Sequence, residues 1–397
     1  MIYLAIFCIA LLLYSYVGFP LLVSLLATLR PREWTIDETF KPTVSIILPA
    51  FNEELVLRRC LTSLVQSNYP LEKFEILCGS DGSTDGTNAI INEFADKYPT
   101  VRPFFFNGQR GKMLALNDLA SESKSEILLF VDADVTLNPN AILHHVRHYA
   151  DESVGGVAGR LAFAGERRDG VFKSESMFLS IESNLRRSEA LVSSTIGLYG
   201  GNYSMRRSLW RPLPDARVAD DFFTVLTILA SGKRLLYEGD AVSTELYGRD
   251  YEDEFHRKTR FASRCLYSLT FFPHLLFRGK VAWMIWPHKL LRWGTGFIAL
   301  GVLVGSIVAY LDGVELASTL VVIEGIAAFL ILLGWIGKLF GKTIPIASNL
   351  YWFFNMNLAF MKGFYEFAFS KQKVIWSQTA RVADTTVPVR EREAIHS

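Results

Sequence analysis

Three groups of carboxylates stand where chemistry would need them. The first is Asp132-Ala133-Asp134, directly after the apolar run Ile127 to Val131. If that run is a strand of an α/β sheet, its carboxyl end opens into the crevice where such folds bind ligands. Two acids one residue apart can face the same side there and hold a hard cation, Mg²⁺ or Mn²⁺, against a diphosphate. An Asp-x-Asp in a surface turn is common; its place at the end of an apolar run gives this one weight. The second group is Gly79-Ser80-Asp81-Gly82-Ser83-Thr84-Asp85-Gly86-Thr87. Its glycines permit tight turns and close approach of backbone to a ligand. Asp81 can accept a hydrogen bond from a nucleobase, whereas Asp85 reads as a helix or turn cap. The third is Ala219-Asp220-Asp221 ahead of Phe222-Phe223. Adjacent acids in a pocket raise one another's pKa, which suits a general base. Taken alone, the pair reads better as an N-cap and a first-turn acid.

These residues need a scaffold, and the intervening pattern supplies one. Val44 to Leu48, Phe74 to Gly79, Val101 to Phe106 and Ile127 to Val131 are short runs rich in β-branched and aromatic residues. Helical patterns lie between them, around 85 to 98 and 111 to 122. Alternation at this spacing predicts βαβ units and a mainly parallel sheet across 42–248. Asn52 is expected to cap a helix carrying Glu53 and Glu54 in its first turn. His144, His145 and His148 are expected on a helix face near the domain surface.

The rest of the chain is less polar. Half of the 397 residues are hydrophobic and a fifth are charged, which reads as part membrane and part globular. A net charge of +1 implies no nucleic-acid partner. The four cysteines lie far apart without a Cys-x-x-Cys and read as reduced, mostly buried thiols. Residues 1–29 contain no Asp, Glu, Lys, Arg or His, long enough to cross a bilayer and too long for a signal-peptide core. Gly18 to Pro20 is expected to kink this helix. Arg30 and Arg32 follow at once, so the positive-inside rule places the N-terminus outside and 42–248 in the cytosol. Residues 250–292 mix aromatic residues with Arg, Lys and His, as interfacial helices do. Region 293–369 holds two strong spans, near 293–311 and 317–337. It also holds a weaker segment, 347–369, that contains Asn349, Asn355, Asn357, Lys362 and Glu366. The tail is 370–397. The expected location is the cell membrane, multi-pass.

In their order along the chain these motifs resemble the inverting glycosyltransferases of family 2, which have a GT-A fold. The closest likeness is to the membrane synthase branch of cellulose, hyaluronan and poly-N-acetylglucosamine synthases. The resembling residues are Ile47-Leu48-Pro49-Ala50-Phe51-Asn52-Glu53-Glu54, Ser80 to Thr87, Gly111-Lys112, Asp132-Ala133-Asp134, Gly200-Gly201, Asp220-Asp221 and Arg257-Lys258-Thr259-Arg260-Phe261. The resemblance implies a nucleotide-sugar donor, with UDP as the carrier, and Mg²⁺ or Mn²⁺ as cofactor. It implies that Asp81 binds the nucleobase, Asp132 the nucleotide and Asp134 the metal, with Lys112 near the nucleotide. Asp221 matches the carboxylate that deprotonates the acceptor hydroxyl, and Arg260 the arginine that neutralises the leaving diphosphate.

Two departures bear on the product. The synthases carry Gln-x-x-Arg-Trp, and here Arg257 replaces the Gln and Phe261 the Trp that stacks on the acceptor sugar. Their Thr-Glu-Asp reads Ala219-Asp220-Asp221, which makes Asp220 a weaker match as an acceptor contact than Asp221. Processive polymerisation is therefore open, and transfer of one sugar to a lipid by a glycolipid synthase stands as the alternative. So few spans make a polymer channel only if the protein oligomerises. A noncatalytic membrane scaffold would be expected to have lost Asp134, Asp221 or Arg260; all three are present.

Overall fold

The computed structural model describes residues 1–164, 170–246, 251–277 and 279–369. The tail, with Trp376, Thr379 and Arg381, lies outside the described residues.

The chain starts with α1 (Ile2–Leu13) and α2 (Phe19–Leu29), joined by one π-helical turn over Tyr14–Gly18. Strand β1 (Val44–Ala50) follows, then α3 (Leu57–Val65), β2 (Phe74–Ser80), α4 (Thr87–Lys97), β3 (Val101–Phe105), α5 (Lys112–Glu122) and β4 (Ile127–Val131). All seven residues of β1 and all five of β4 are buried. A strand covered on both faces has no reason to alternate, so these read as unbroken apolar runs. In α3, Leu57, Cys60, Leu61 and Leu64 fall on one face at helical spacing, and all four are buried.

The second half of the domain contains β5 (Val135–Leu137), α6 (Ala141–Val146), β6 (Val154–Ala164), α7 (Gly170–Val192), β7 (Asn202–Arg206), α8 (Asp220–Ala230) and β8 (Arg234–Leu246). The strands form one sheet in the order β3-β2-β1-β4-β7-β6-β8-β5. β1 pairs in parallel with β2 and β4, β2 with β3, and β6 with β8. The β4–β7, β6–β7 and β5–β8 pairs are antiparallel. The sheet is therefore mixed, and the expectation of a mainly parallel sheet holds only for its first half. From β5 onward the antiparallel partners are joined through helices or lie far apart in sequence, which βαβ spacing does not reveal. The carboxyl ends of β1, β2 and β4 lie side by side and carry Asn52, Asp81 and Asp132 to one edge.

Two local expectations are corrected. Asn52 does not cap a helix: α3 begins only at Leu57, without a side-chain cap. Asn52 sits at φ 53°, and its Oδ1 accepts the Thr84 N–H at 2.7 Å. Glu53 and Glu54 likewise donate backbone N–H groups to Thr87 and Asp85, so this segment clamps the loop after β2. The histidines also differ from expectation. His145 and His148 are buried; His145 meets Asn202 and Ser204, and His148 meets Glu238 and Trp34. Burial pushes the His145 imidazole down to about 4, so it is a neutral core residue. The four thiols are free and buried, as expected.

Beyond the sheet run α9 (Tyr251–Leu269), α10 (Gly279–Ile285), α11 (Leu291–Trp293), α12 (Thr295–Leu311), α13 (Glu315–Leu339) and α14 (Ala347–Ala368). Among the described residues, Ile2–Leu29 and Glu315–Leu339 are each long and apolar enough to cross a membrane. Gly279–Trp293 and Thr295–Leu311 pass the same test only together, and they are bent by 67° at Gly294. By itself α12 has 17 residues. The first helix has its π turn over Tyr14–Gly18, ending at the Gly18 to Pro20 stretch expected to kink it. Its second half does not face lipid all round, since Phe19, Val23 and Ala27 join the core of the sheet domain.

Candidate active site

The carboxylates meet at the edge where β1, β2 and β4 end. Asp132 leaves β4, Asp220 and Asp221 open α8, and Lys112 opens α5. The Lys112 Nζ lies 2.8 Å from Asp132 and 3.0 Å from Asp220. Burial alone would lower this ammonium's pKa, but the two carboxylates outweigh it and hold it well above its usual value. Lys112 thus ties together two acids that stand 88 residues apart in sequence.

Asp221 is near the same group: Asp220, Lys112 and Asp132 all act on its carboxylate. Its Oδ1 accepts the Phe222 N–H at 2.6 Å. Gly200 lies against both acids. A Cβ placed there would lie 3.6 Å from Asp221 Oδ2 and 3.9 Å from Asp132 Oδ2, so the two carboxylates meet beside this loop backbone at ordinary contact distance. Burial, and then the neighbouring Asp220 charge, push the Asp221 carboxyl up to about 6. A carboxylate with that value can take a proton near neutral pH and still be ionised most of the time.

Asp134 is the second acid of the Asp-x-Asp and shares the electrostatic surroundings of buried Cys60 with Asp132. Among the described residues no three His, Cys, Asp or Glu side chains are gathered as a ready metal cage. The chemistry of the acids present still fits Mg²⁺ or Mn²⁺: both prefer oxygen ligands, and such ions are often bound by one or two carboxylates plus substrate phosphates.

Asp81, at the end of β2, has no exposed surface. Its carboxylate accepts the backbone N–H of Arg110 at 3.1 Å and of Gly111 at 2.7 Å. It therefore holds the loop 107–111, and Arg110 stacks on Phe106 at 4.1 Å. Asp85 is the turn cap expected of it, accepting N–H groups from Thr87 and Glu54.

The contact between these loops yields a test. Gly82 has φ 71°, and a Cβ on it would lie 2.4 Å from the carbonyl carbon of Gly108. Gly108 has φ 70° but open space around it. Gly82→Ala should therefore cost about 2–4 kcal/mol, from backbone strain plus displacement of the loop, and Gly108→Ala about 1 kcal/mol from strain alone. Denaturant melts of the two variants measure the gap. Equal costs would mean that the two loops are not packed as described.

Helix α9 brings the remaining expected residues. Phe261 does not stand open to solvent; its ring meets Trp293 edge-on at 6.1 Å, and Trp293 meets Phe222 at 5.5 Å. These rings form an aromatic wall next to the start of α8. Arg260 lies on the same helix. One turn further on is Arg264, a residue that sequence reasoning missed. Burial lowers the pKa of this guanidinium, and the nearby Asp220 and Asp221 charges oppose that fall. The signal was available in the i, i+4 spacing of Arg260 and Arg264. Ser268, another turn on, accepts the Ala219 N–H at 3.0 Å and pins α9 to the N-terminus of α8.

Behind the acids lies a buried polar cluster. His288 bridges Glu189 at 2.6 Å and Glu182 at 2.7 Å, and Arg186, Lys289 and Arg292 also approach Glu182. Burial would raise the Glu182 pKa, but these cations hold it well below the usual carboxylate range. Glu189 accepts from Thr195 and Ile196, so the cluster anchors the loop that leads to Gly200.

Comparison with known proteins adds three findings. Residues 45–212 match the protein family described as Glycosyl transferase family 2. The chain is 28% identical over 244 residues to the "Probable glycosyltransferase YdaM" of Bacillus subtilis, covering 58% of this chain and 57% of that protein. It is 29% identical over 181 residues to a "Beta-monoglucosyldiacylglycerol synthase" of Nostoc sp., covering 45% of this chain and 39% of that protein. The chain spans about half the length of the first curated relatives it matches. Among solved structures, the mannosyltransferase PcManGT from Pyrobaculum calidifontis, in complex with GDP-Man and Mn²⁺, superposes with a TM-score of 0.69 at 21% identity. The superposition covers 93% of this chain and 99% of the other, so the likeness in fold takes in helices flanking the sheet as well as the sheet itself.

Proposed function

From a chain that carries a glycosyl transferase family 2 domain on a GT-A fold, we infer an inverting, membrane-embedded enzyme that moves a sugar from a nucleotide-sugar to a saccharide acceptor. The observation that carries this reading is the meeting of Asp132 and Asp221 beside Gly200. One acid belongs to the Asp-x-Asp and the other has a pKa suited to a base. Displacing a nucleoside diphosphate from an anomeric carbon needs positive charge at the leaving group and a base on the opposite side. One base and in-line attack make a single displacement, which inverts the anomeric centre.

In this reading Asp221 takes the acceptor hydroxyl's proton. Asp132 contacts the nucleotide and Asp134 holds the metal, which supplies positive charge to the leaving diphosphate. Arg260 adds charge at the same place, with Arg264 one turn behind it. Lys112 releases its hold on Asp132 as the nucleotide enters. Asp81 contacts the base once the 107–111 loop that it holds has shifted. Phe261 lines the acceptor side through its wall with Trp293, and Asp220 orients that side.

UDP is the carrier by family resemblance, and the mannosyltransferase named above carries GDP-Man, so both nucleotide series belong in the donor screen. Arg30 and Arg32 after the first apolar helix support a cytosolic catalytic domain in a multi-pass membrane protein. A second reading, addition of one sugar to a lipid, is favoured by the aromatic wall: Trp293 ends the segment that bends into the apolar α12.

The test is nucleotide release by the purified chain in detergent, over a panel of UDP- and GDP-sugars with Mn²⁺ or Mg²⁺. Release from one donor should stop with EDTA and fall at least a hundredfold in Asp134→Ala. Release that survives both treatments would sink the metal-assisted reading. Sizing the product then separates polymer from single transfer.

A further inference from the structure

A cavity of about 780 Å³ lies apart from the carboxylate site, between α7, the β6–β8 pair and residues 34–36. None of Asp81, Lys112, Asp132, Asp134, Asp220 or Asp221 lines it. Its charged lining consists of three arginines and two carboxylates besides His148. Arg147 and His148 already share Glu238. Arg160 and Arg187 are exposed and have no side-chain partner among the described residues. Tyr237 is nine-tenths buried in the wall, and its hydroxyl has no hydrogen-bond partner among the described residues. The unmatched charge is thus positive, with a spare hydroxyl donor in the same wall.

The cavity's height relative to the membrane can be read from α7. Arg292 contacts Glu182 at 3.3 Å and the Ser15 carbonyl at 3.4 Å. Ser188 lies 3.4 Å from Ser24, and the Leu191 carbonyl accepts the Arg32 N–H at 2.6 Å. Helix α7 therefore runs beside the first apolar helix in the same direction, level with residues 15–32. The cavity-lining Trp34 and Ile36 follow the end of that helix at Leu29, so the cavity lies at the end of the first apolar span, level with a bilayer surface. On the same helix as the cavity-lining Ser180 and Ser183, Met177 and Ile181 expose apolar side chains at 54% and 56%.

We propose that this cavity binds the phosphate headgroup of an acidic phospholipid, paired with Arg160 and Arg187, while its acyl chains lie along Met177 and Ile181. Guanidinium groups match phosphate geometry, and a basic site at the membrane face attracts anionic lipid. The proposal rests on the membrane placement and not on the identity of donor or acceptor, because neither arginine belongs to the carboxylate site.

The test uses the full chain in detergent with three probes: dihexanoyl phosphatidylglycerol, dihexanoyl phosphatidylcholine and inorganic phosphate. Native mass spectrometry counts adducts, and thermal melts follow the stabilisation that binding confers. The glycerol lipid alone should bind and raise the melting temperature. Its apparent affinity should fall at least tenfold in R160Q/R187Q and persist in R160K/R187K, with the unliganded melting temperature unchanged. If the double glutamine variant does not fold, R187Q by itself must show a loss of at least threefold. Equal binding of the choline lipid, equal binding of inorganic phosphate, or an unaltered glutamine variant would each overturn the proposal.

Discussion

Asp221→Asn is expected to abolish turnover and stabilise the fold at once. A positioned general base contributes roughly a hundred- to ten-thousandfold to rate, so kcat should fall about a thousandfold, with the donor KM within a few-fold of wild type. The amide keeps the shape of the side chain and can still accept the Phe222 N–H. What it removes is a charge that burial and Asp220 oppose. The folded-state pKa of about 6 lies above the ordinary 3.8, so the folded chain binds this proton more tightly than the unfolded one does. The cost of ionising Asp221 is absent below pH 3.8 and fully present above about 6. The Asn variant escapes that cost and should gain on the order of 2 kcal/mol at pH 7, a gain that fades as pH falls through 6 toward 4. Wild-type kcat should rise with pH through an apparent pKa near 6. An Asn variant that is both inactive and less stable at pH 7 would show that Asp221 supports structure rather than chemistry.

Much of this site was legible because the residues that build it are local. The strands β1 to β4 and the helices between them follow from runs whose apolar period is unmistakable, and Ile127–Val131 appears with the boundaries expected of it. The Asp-x-Asp, Asp81 and the Asp220-Asp221 pair could be found because each stands at the junction of two such elements. What sequence did not reveal were relations across the fold. Asn52 looked like a cap because its neighbours are acidic, yet its partner is Thr84, thirty-two residues on. The histidines at 144–148 were expected near the surface, but His145 meets Asn202 of β7, His148 meets Glu238 of β8, and both are buried. β5 to β8 escaped the reading because strands joined by long or antiparallel returns leave no βαβ period. Lys112 could be placed near the nucleotide only by resemblance; its bond to both Asp132 and Asp220 depends on α5 and α8 meeting over the ends of the strands.

That bond makes Lys112 the second large expected effect. Its side chain is 21% exposed, beside Asp132 at 31% and Asp220 at 15%, so the triad lies between a surface pair worth under about 1 kcal/mol and a buried pair whose breakage costs about 3–5 kcal/mol. Lys112→Met should cost about 2 kcal/mol at pH 7. The loss has a pH signature. Without the ammonium, the charges of Asp132, Asp220 and Asp221 repel one another with no cation between them. The penalty is then present at neutral pH and disappears as pH falls below the ordinary carboxylate range near 4. Urea melts of wild type and variant should therefore converge on acidification. Lys112 also sets a positive charge on Asp132, two residues from Asp134, the acid proposed to hold the metal. In the absence of donor, Mn²⁺ should stabilise the Met variant more than the wild type, even as kcat/KM falls at least tenfold. A variant whose deficit is the same at pH 7 and pH 4, and which Mn²⁺ stabilises no more than the wild type, would mean that Lys112 acts through packing and leaves the carboxylates to be explained separately.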